Sequence, residues 1–559
     1  VSTLVQTSYV DTDGVRHRAS SETVSVLDEL LAGDEIPSPV PPCLVAWDGR
    51  LDLEADVQLE DGTVVRSGRD VLPFGAHLAE VTIGHVVGTT TVLSAPSRLG
   101  PSSVPRHRRF GVFAPTYALR RSQGDRGMGD LRDLGALGRW AADRGAGLVA
   151  TLPLLPTFLG VGEEPYDPSP YSPVSRLMWN EAYLDLSALP GSPSPSAPGS
   201  SDGLVDWRAQ GSLVRAALDA AVAALGDRGL DEVSRWAASQ PHLLDYCSFR
   251  AATEAGPGHT PDPSVARRHL VGQWAMASQL AALADSLADR DQLLYLDLPI
   301  GTHADGFDTW LHPELFVRGA SVGAPPDGFQ PEGQDWGFPP LHPEISRRDG
   351  HAHLRAVIAH HLRHAKVLRV DHVMGVHRLW WVPPGLSSAE GAYVRYPADE
   401  LYACLTLEAH RAGAEIVGED LGTVPREVRR ALGRRGLGGI YCREFMAIDD
   451  PPPPRQRDLA VIGTHDTATF AAWWAQDGDG SDPLAALDRL QQELGRSPAR
   501  WVLATLEDQW LETEPQNRPG LGADAYPSWR RRTARPIDDL GDGPAHLLDA
   551  LHDARGARP

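Results

Sequence analysis

From about residue 109 onward the chain alternates short apolar runs with stretches of helical periodicity: FGVFAP, GLVATLPL, LLYLDLPI, KVLRVDHVMG, EIVGEDLG, GIYCREF and LAVIGTHD. Repeated strand–helix alternation commits a chain to a parallel sheet covered by its own helices. Two architectures satisfy that constraint. The doubly wound sheet normally carries a G-x-G-x-x-G turn after its first strand. Here FGVFAPTYAL runs into RRSQGDRGMGDL, whose glycines lack that order. The pattern therefore predicts an α/β fold, a (β/α)8 barrel of the TIM type with helical insertions.

The texture before residue 100 is different. Residues 1–35 hold one short helix, with Ser21 capping and Val24, Leu27 and Leu30 at helical spacing. From Cys43 to about Pro96, the runs CLVAW, LEADVQL, HLAEVTIGHVV and TTTVL are separated by DG and Gly turns, as in a small β-sandwich. The cluster SAPSRLGPSSVPRHR reads as a linker. The expected domains are thus 1–105, a short helix plus β-sandwich, and 106–559, the barrel. An inserted helical subdomain is expected at about 187–290, edged by SALPGSPSPSAPGSS and GPGHTPDP.

The 559 residues carry a net charge of −22, which argues against nucleic acid or an anionic membrane as the main partner. A neutral or polyol substrate fits better. Cys43, Cys247, Cys404 and Cys442 lie far apart with no C-x-x-C pair, so neither a zinc ribbon nor a disulfide framework is indicated, and a reducing cytoplasm is expected. No run approaches the ~18 consecutive apolar residues of a spanning helix. The first thirty residues lack the order of a signal peptide, so secretion is not expected.

Three of the apolar runs finish on an acid: VLRVD at Asp371, EIVGE at Glu419 and AVIGTHD at Asp466. In a barrel the C-terminal strand ends converge on one mouth, so acids distant in sequence can act on one substrate. Glycosidic bond exchange asks for such a set: one carboxylate attacks the anomeric carbon, and a protonated second gives its proton to the leaving oxygen. A third can hold the ring's hydroxyls. Strand-end acids also cap helices or bind metals. Arg369, His372 and His465 beside these acids favour the catalytic reading, because an arginine keeps a nucleophilic carboxylate ionised.

The same stretches resemble the amylomaltase, or 4-α-glucanotransferase, family of the α-amylase clan. The similarity runs through PSPYSPVSRLMWNEAYLDL (168–186), DLPIG (297–301), ASVGAPPD and GQDWGFPPLHP (within 320–343), LRVDHVMG (368–375), VGEDLGTVP (417–425), GTHD (463–466), and EPQNRPG and SWRRR (within 514–532). LPFGAHLAEV (72–81) is similar to the N-terminal sandwich of the longer bacterial members. The resemblance implies Asp371 as nucleophile, Glu419 as general acid/base and Asp466 as transition-state stabiliser. It implies that Arg369 orients Asp371, that His372 and His465 hold sugar hydroxyls, and that Asp297 belongs with them. Tyr171 matches a ring stacked on the sugar. Asp327, Gln334 and Trp336 fall in a loop on the acceptor side, and Asn517 lies in a further matching stretch. Phe338 stands where many members carry Asn. Maltodextrins or related α-glucans are the implied donor and acceptor, with no cofactor and no metal.

The remaining signals add little chemistry. His351, His353, His360, His361 and His364 lack an H-E-x-x-H and read as a packed or solvated face rather than a metal site. Trp380, Trp381, Trp473 and Trp474 read first as core, then as sugar platforms. No nucleophile elbow or Walker loop is present. From the residues alone, glucan transfer, α-1,4-glucan hydrolysis by the same carboxylates, and a catalytically silent carbohydrate-binding protein stay open; the family resemblance selects transfer.

Overall fold

The computed structural model describes residues 4–11, 14–32, 39–100, 108–191, 203–327, 330–422, 424–446, 451–521, 525–540 and 542–556. The expected linker over 101–107 and the Ser/Pro-rich stretch at 192–202 lie outside the described residues.

Eight strands close into the expected parallel barrel: β1 (Arg109–Phe113), β2 (Leu148–Ala150), β3 (Leu293–Leu298), β4 (Val367–Val370), β5 (Glu415–Gly418), β6 (Gly438–Cys442), β7 (Leu459–Val461) and β8 (Trp501–Thr505). They follow one another in chain order, and β8 pairs back onto β1, Trp501 to Thr505 against Arg109 to Phe113. Closure leaves no free edge on this sheet. Val112, Val149, Leu296, Leu368, Val417, Ala460 and Val502 are buried, as expected for strands covered on both faces. Seven of these strands coincide with the apolar runs; β8, WVLAT, is the one those runs omit.

The chain divides into two compact units, Val1–Arg106 with Leu298–Gly439, and His107–Asp297 with Ile440–Pro559. In the first, the helix near the N-terminus spans Ser21–Leu30, and its cap is Ser20, not Ser21: the Ser20 side chain accepts from the Thr23 amide. Cap position depends on where the backbone leaves the extended region, which apolar spacing does not report. The expected β-sandwich takes the form of one five-stranded sheet, because Cys43–Trp47 pairs in parallel with Val86–Ala95 and joins both ends of the segment into a single ladder. Its core holds Ala46, Val57, Ala79, Val81 and Val92.

That sheet packs on helix Ala398–Ala412, whose residues from Glu400 to Ala409 are all buried. Polar ties add to the apolar contact. Arg411 pairs with Glu60 at 2.6 Å, and the Arg435 guanidinium lies 3.5 Å from the Trp47 ring centre. A second five-stranded sheet joins Val5–Gln6, Ala392–Arg395, Arg378–Val382, Ser321–Ala324 and Gln334–Asp335 in that order. Trp380 and Trp381 are buried within it, the core role expected of them first.

In the second unit, the described residues between β2 and β3 include the helical stretches Trp207–Ala237, Leu243–Ala255 and Pro263–Ala288, the first broken by a kink at Gly226, whose φ is +58°. Their interior includes charge. His269 lies between Glu181 and Glu254, each at 2.9 Å, and Arg250 pairs with Glu164 at 2.8 Å. Every member of that buried set has an opposite partner, the condition on which buried ions are tolerated. Among the described residues no helix is long and apolar enough to cross a membrane.

Candidate active site

In the first unit, the ends of β4 and β5 carry two of the acids. Arg369, on β4 itself and 6% exposed, reaches past the strand end so that its Nη2 lies 2.9 Å from Asp371 Oδ1. The Asp371 amide donates to the Leu298 carbonyl, which fixes the acid's backbone to the end of β3. His372 follows with φ +44°, and the turn aims its amide at Glu419 Oε2, 3.0 Å away. The Leu421 amide donates to the other oxygen at 2.6 Å. Two backbone donors thus hold the Glu419 carboxyl in one orientation.

Burial pushes the Glu419 carboxyl up to about 7; Arg369 pulls it down and Asp371 pushes it further up. Near neutrality that group exists both as an acid and as its conjugate base, the condition for general acid/base work. Burial also presses the His372 imidazole down to about 4, so it is neutral wherever Glu419 titrates. The Trp336 ring stands edge-on to His372 with centroids 5.1 Å apart, and its Nε1 donates to Gln334 Oε1 at 3.1 Å. Asp327 Oδ1 accepts the Gln330 amide at 2.7 Å. Phe338 is buried against Gly301 of DLPIG, where a Cβ would stand 2.1 Å from the Phe338 ring, so only glycine fits.

In the second unit, Asp297 on β3 is buried and accepts from Tyr171 Oη at 2.7 Å. The Tyr171 ring stacks on His465, centroids 4.8 Å apart and planes 15° apart. His465 Nε2 lies 3.1 Å from Asp466 Oδ2, and Asn517 Nδ2 donates to Asp466 Oδ1 at 2.7 Å. Asp466 remains accessible, with its side chain 46% exposed. Tyr171, Asp297, His465, Asp466 and Asn517 therefore form one contiguous polar and aromatic group.

Two further residues of the second unit near these motifs escaped sequence reasoning. Trp529, in SWRRR, lies 5.5 Å from Tyr171 and 6.0 Å from His465 between ring centres, with φ +62°. Its signal was an aromatic inside a matching stretch from which no residue was singled out. Glu444, in REF after β6, backs the GTHD loop: a Cβ on Gly463 would lie 2.6 Å from its Oε1, and burial pushes its carboxyl up to about 8. No local signal marked it.

The expected histidine face is largely core: His351, His353, His360 and His361 are buried. Among the described residues, one group could offer metal ligands, Cys43, His351 and Glu400. Arg347 already grips that carboxylate through Nε and Nη2, and His351 Nε2 lies 3.0 Å from it. Burial pushes the Cys43 thiol up, away from the thiolate a metal needs. The donor set fits a closed structural ion pair better than a cation. All four cysteines are free and buried.

A parallel (β/α)8 barrel whose strand ends carry an arginine-paired aspartate and a glutamate poised near neutrality defines a carboxylate enzyme of the glycoside-hydrolase type. The profile of glycoside hydrolase family 77, described as 4-alpha-glucanotransferase, matches residues 114–262 and 259–537. The 4-alpha-glucanotransferase of Mycobacterium tuberculosis is 31% identical over 592 aligned positions, covering 87% of this chain and 79% of that protein. That of Haemophilus influenzae is 39% identical over 211 residues, 36% of this chain and 30% of that one. In fold, the chain is similar to the amylomaltase of Corynebacterium glutamicum, with TM-score 0.82 and 24% identity over 99% of this chain and 98% of that one. It is similar also to the Streptococcus agalactiae amylomaltase solved with acarbose, with TM-score 0.70 and 20% identity over 81% and 100%. The chain belongs to glycoside hydrolase family 77, the 4-α-glucanotransferases or amylomaltases.

Proposed function

We propose that this 4-α-glucanotransferase moves α-1,4-glucan segments between maltodextrins by a retaining double displacement, with Asp371, Glu419 and Asp466 serving one glucosyl unit. The Asp371 carboxylate attacks the anomeric carbon while Glu419 gives its proton to the departing glycosidic oxygen, leaving a glucosyl ester on Asp371. Glu419, now a carboxylate, takes the proton of an incoming 4-hydroxyl, whose oxygen displaces Asp371 from the same carbon. Asp466 accepts hydrogen bonds from ring hydroxyls as the sugar flattens, with Asn517 holding its other oxygen. Tyr171, Asp297 and His465 position the same sugar, and Asp327, Gln334 and Trp336 lie on the acceptor side.

The carrying observation is the pair of opposed environments: Asp371 against the Arg369 guanidinium, and Glu419 pushed up to about 7 by burial. A carboxyl that still holds its proton near neutrality can give it to a leaving oxygen, and the neighbouring carboxylate gripped by a guanidinium is placed to attack. For substrate class, support comes from the Streptococcus neighbour having been solved with acarbose. A reducing cytoplasm suits the four free cysteines.

Maltotriose tests this reading. The wild-type chain should yield longer maltodextrins with glucose, with configuration retained at each new bond. Asp371→Asn should abolish turnover, and Glu419→Gln should lower it by about 10²–10⁴-fold. Full activity in Asp371→Asn would remove the mechanism.

A further inference from the structure

The hairpin Ser8–Val10/Arg16–Arg18 borders a cleft of about 970 Å³ in the first unit, lined also by Arg378 and Arg395 of the second sheet and by the first turn of helix Arg426–Arg435. Six arginines face it, Arg16, Arg378, Arg395, Arg426, Arg429 and Arg430, against two carboxylates, Asp11 and Glu427. Among the described residues, only Arg429 of the six is ion-paired, with Asp420 at 3.4 Å. Arg16 and Arg378 are held by neutral groups: Arg16 donates to Ser8 Oγ, and Arg378 donates to Gln6 Oε1 while lying 3.9 Å over the Tyr393 ring.

This concentration of cations runs against the whole-chain charge of −22. Like charges around one cavity repel, and the repulsion is relieved by an anion within it. Helix Arg426–Arg435 adds to the same potential. Its N-cap is Pro425, whose side chain accepts no hydrogen bond, so the amides of its first turn lack the usual side-chain acceptor. Guanidinium forks match phosphoryl oxygens in bidentate geometry, and several forks together match a polyanion better than a single carboxylate. The volume is that of a small-molecule site rather than of one bare ion.

We propose that this cleft binds a small phosphorylated ligand, a sugar phosphate or a nucleoside polyphosphate, through Arg16, Arg395, Arg426 and Arg430. Neither Asp371 nor Glu419 is among the residues that line the cleft. It borders the segment that follows Glu419, since Gly422, Val424 and Pro425 line it.

Titration calorimetry on the full chain at fixed ionic strength, with pyrophosphate, ATP, glucose 1-phosphate and neutral glucose, tests the proposal. The phosphorylated probes should bind at sub-millimolar concentrations, more weakly as salt rises, and glucose should not bind in this range. The double variant Arg426→Glu/Arg430→Glu should weaken them by about tenfold or more, since charge-assisted contacts are lost and reversed. Arg395→Glu, on an exposed sheet position, should act in the same direction and guards against misfolding in the helix variant. Tighter binding of ATP than of pyrophosphate assigns a nucleotide; tighter binding of glucose 1-phosphate assigns a sugar phosphate. Absence of binding by all three phosphorylated probes, or unchanged affinity in both variants, overturns it.

Discussion

Arg369 Nη2 lies 2.9 Å from Asp371 Oδ1, and both groups come from one strand and its immediate end. The same guanidinium lowers the proton affinity of Glu419, against the burial that raises it to about 7. One side chain therefore influences both proposed reacting groups, and its removal has two signatures. Arg369→Met should lower kcat/KM by about 10–100-fold. It should also move the alkaline limb of the pH profile above 7, because losing a nearby cation leaves the protonated form of Glu419 stable to higher pH. A limb that stays in place in that variant would separate Glu419 from the titration that controls rate.

Trp336 meets His372 edge-on and is tied to Gln334. Transfer wins over hydrolysis only when the acceptor hydroxyl is bound and aligned, an advantage that can reach effective molarities of about 10⁵ M. Trp336→Ala should lower transfer more than hydrolysis, and the glucose released per bond broken should rise. An unchanged ratio would mean that this loop does not select the acceptor.

Tyr171 makes two separable contributions, a stack on His465 and a hydrogen bond to Asp297. Tyr171→Phe keeps the ring and should leave KM within about threefold while lowering kcat. Tyr171→Ala removes the platform and should raise KM by roughly fivefold or more, in line with about 1 kcal/mol for an aromatic stacking contact. Equal effects of the two variants on KM would show that the hydroxyl, not the ring, holds the sugar.

Glu507 and Asp508, buried in the second unit, have carboxyls pushed by burial up to about 8 and about 7. Their folded proton affinity exceeds the unfolded one, so the folded state holds extra protons between the ordinary carboxylate range and those values. The stability they contribute is complete below about pH 4 and is lost as pH rises through 7 to 8. Glu507→Gln keeps the shape that meets Gln516 Nε2 and removes the titration. Its fall in Tm between pH 6 and 8.5 should be smaller than that of wild type by roughly 2–4 °C or more, as read by thermal denaturation at matched ionic strength. Parallel pH profiles would show that Glu507 does not carry the effect.

The amino-acid sequence by itself determined the alternation that closes into a barrel and the acids at three strand ends, because periodicity and strand-end position are local properties. It supplied the family motifs for the same reason: each is a short contiguous run. Partnerships between distant residues were left to the tertiary structure. Tyr171 meets Asp297, Asp466 meets Asn517, and Trp529 flanks Tyr171 and His465, all across loops whose closure no local pattern encodes. The pairing of Cys43–Trp47 with Val86–Ala95 likewise joined both ends of a segment that read as facing sheets. Most consequential is Glu419. Its place after a strand is written in EIVGE, but its elevation to about 7 comes from burial offset by Arg369 and reinforced by Asp371, and a solvation environment exists only once distant chain has packed around the group.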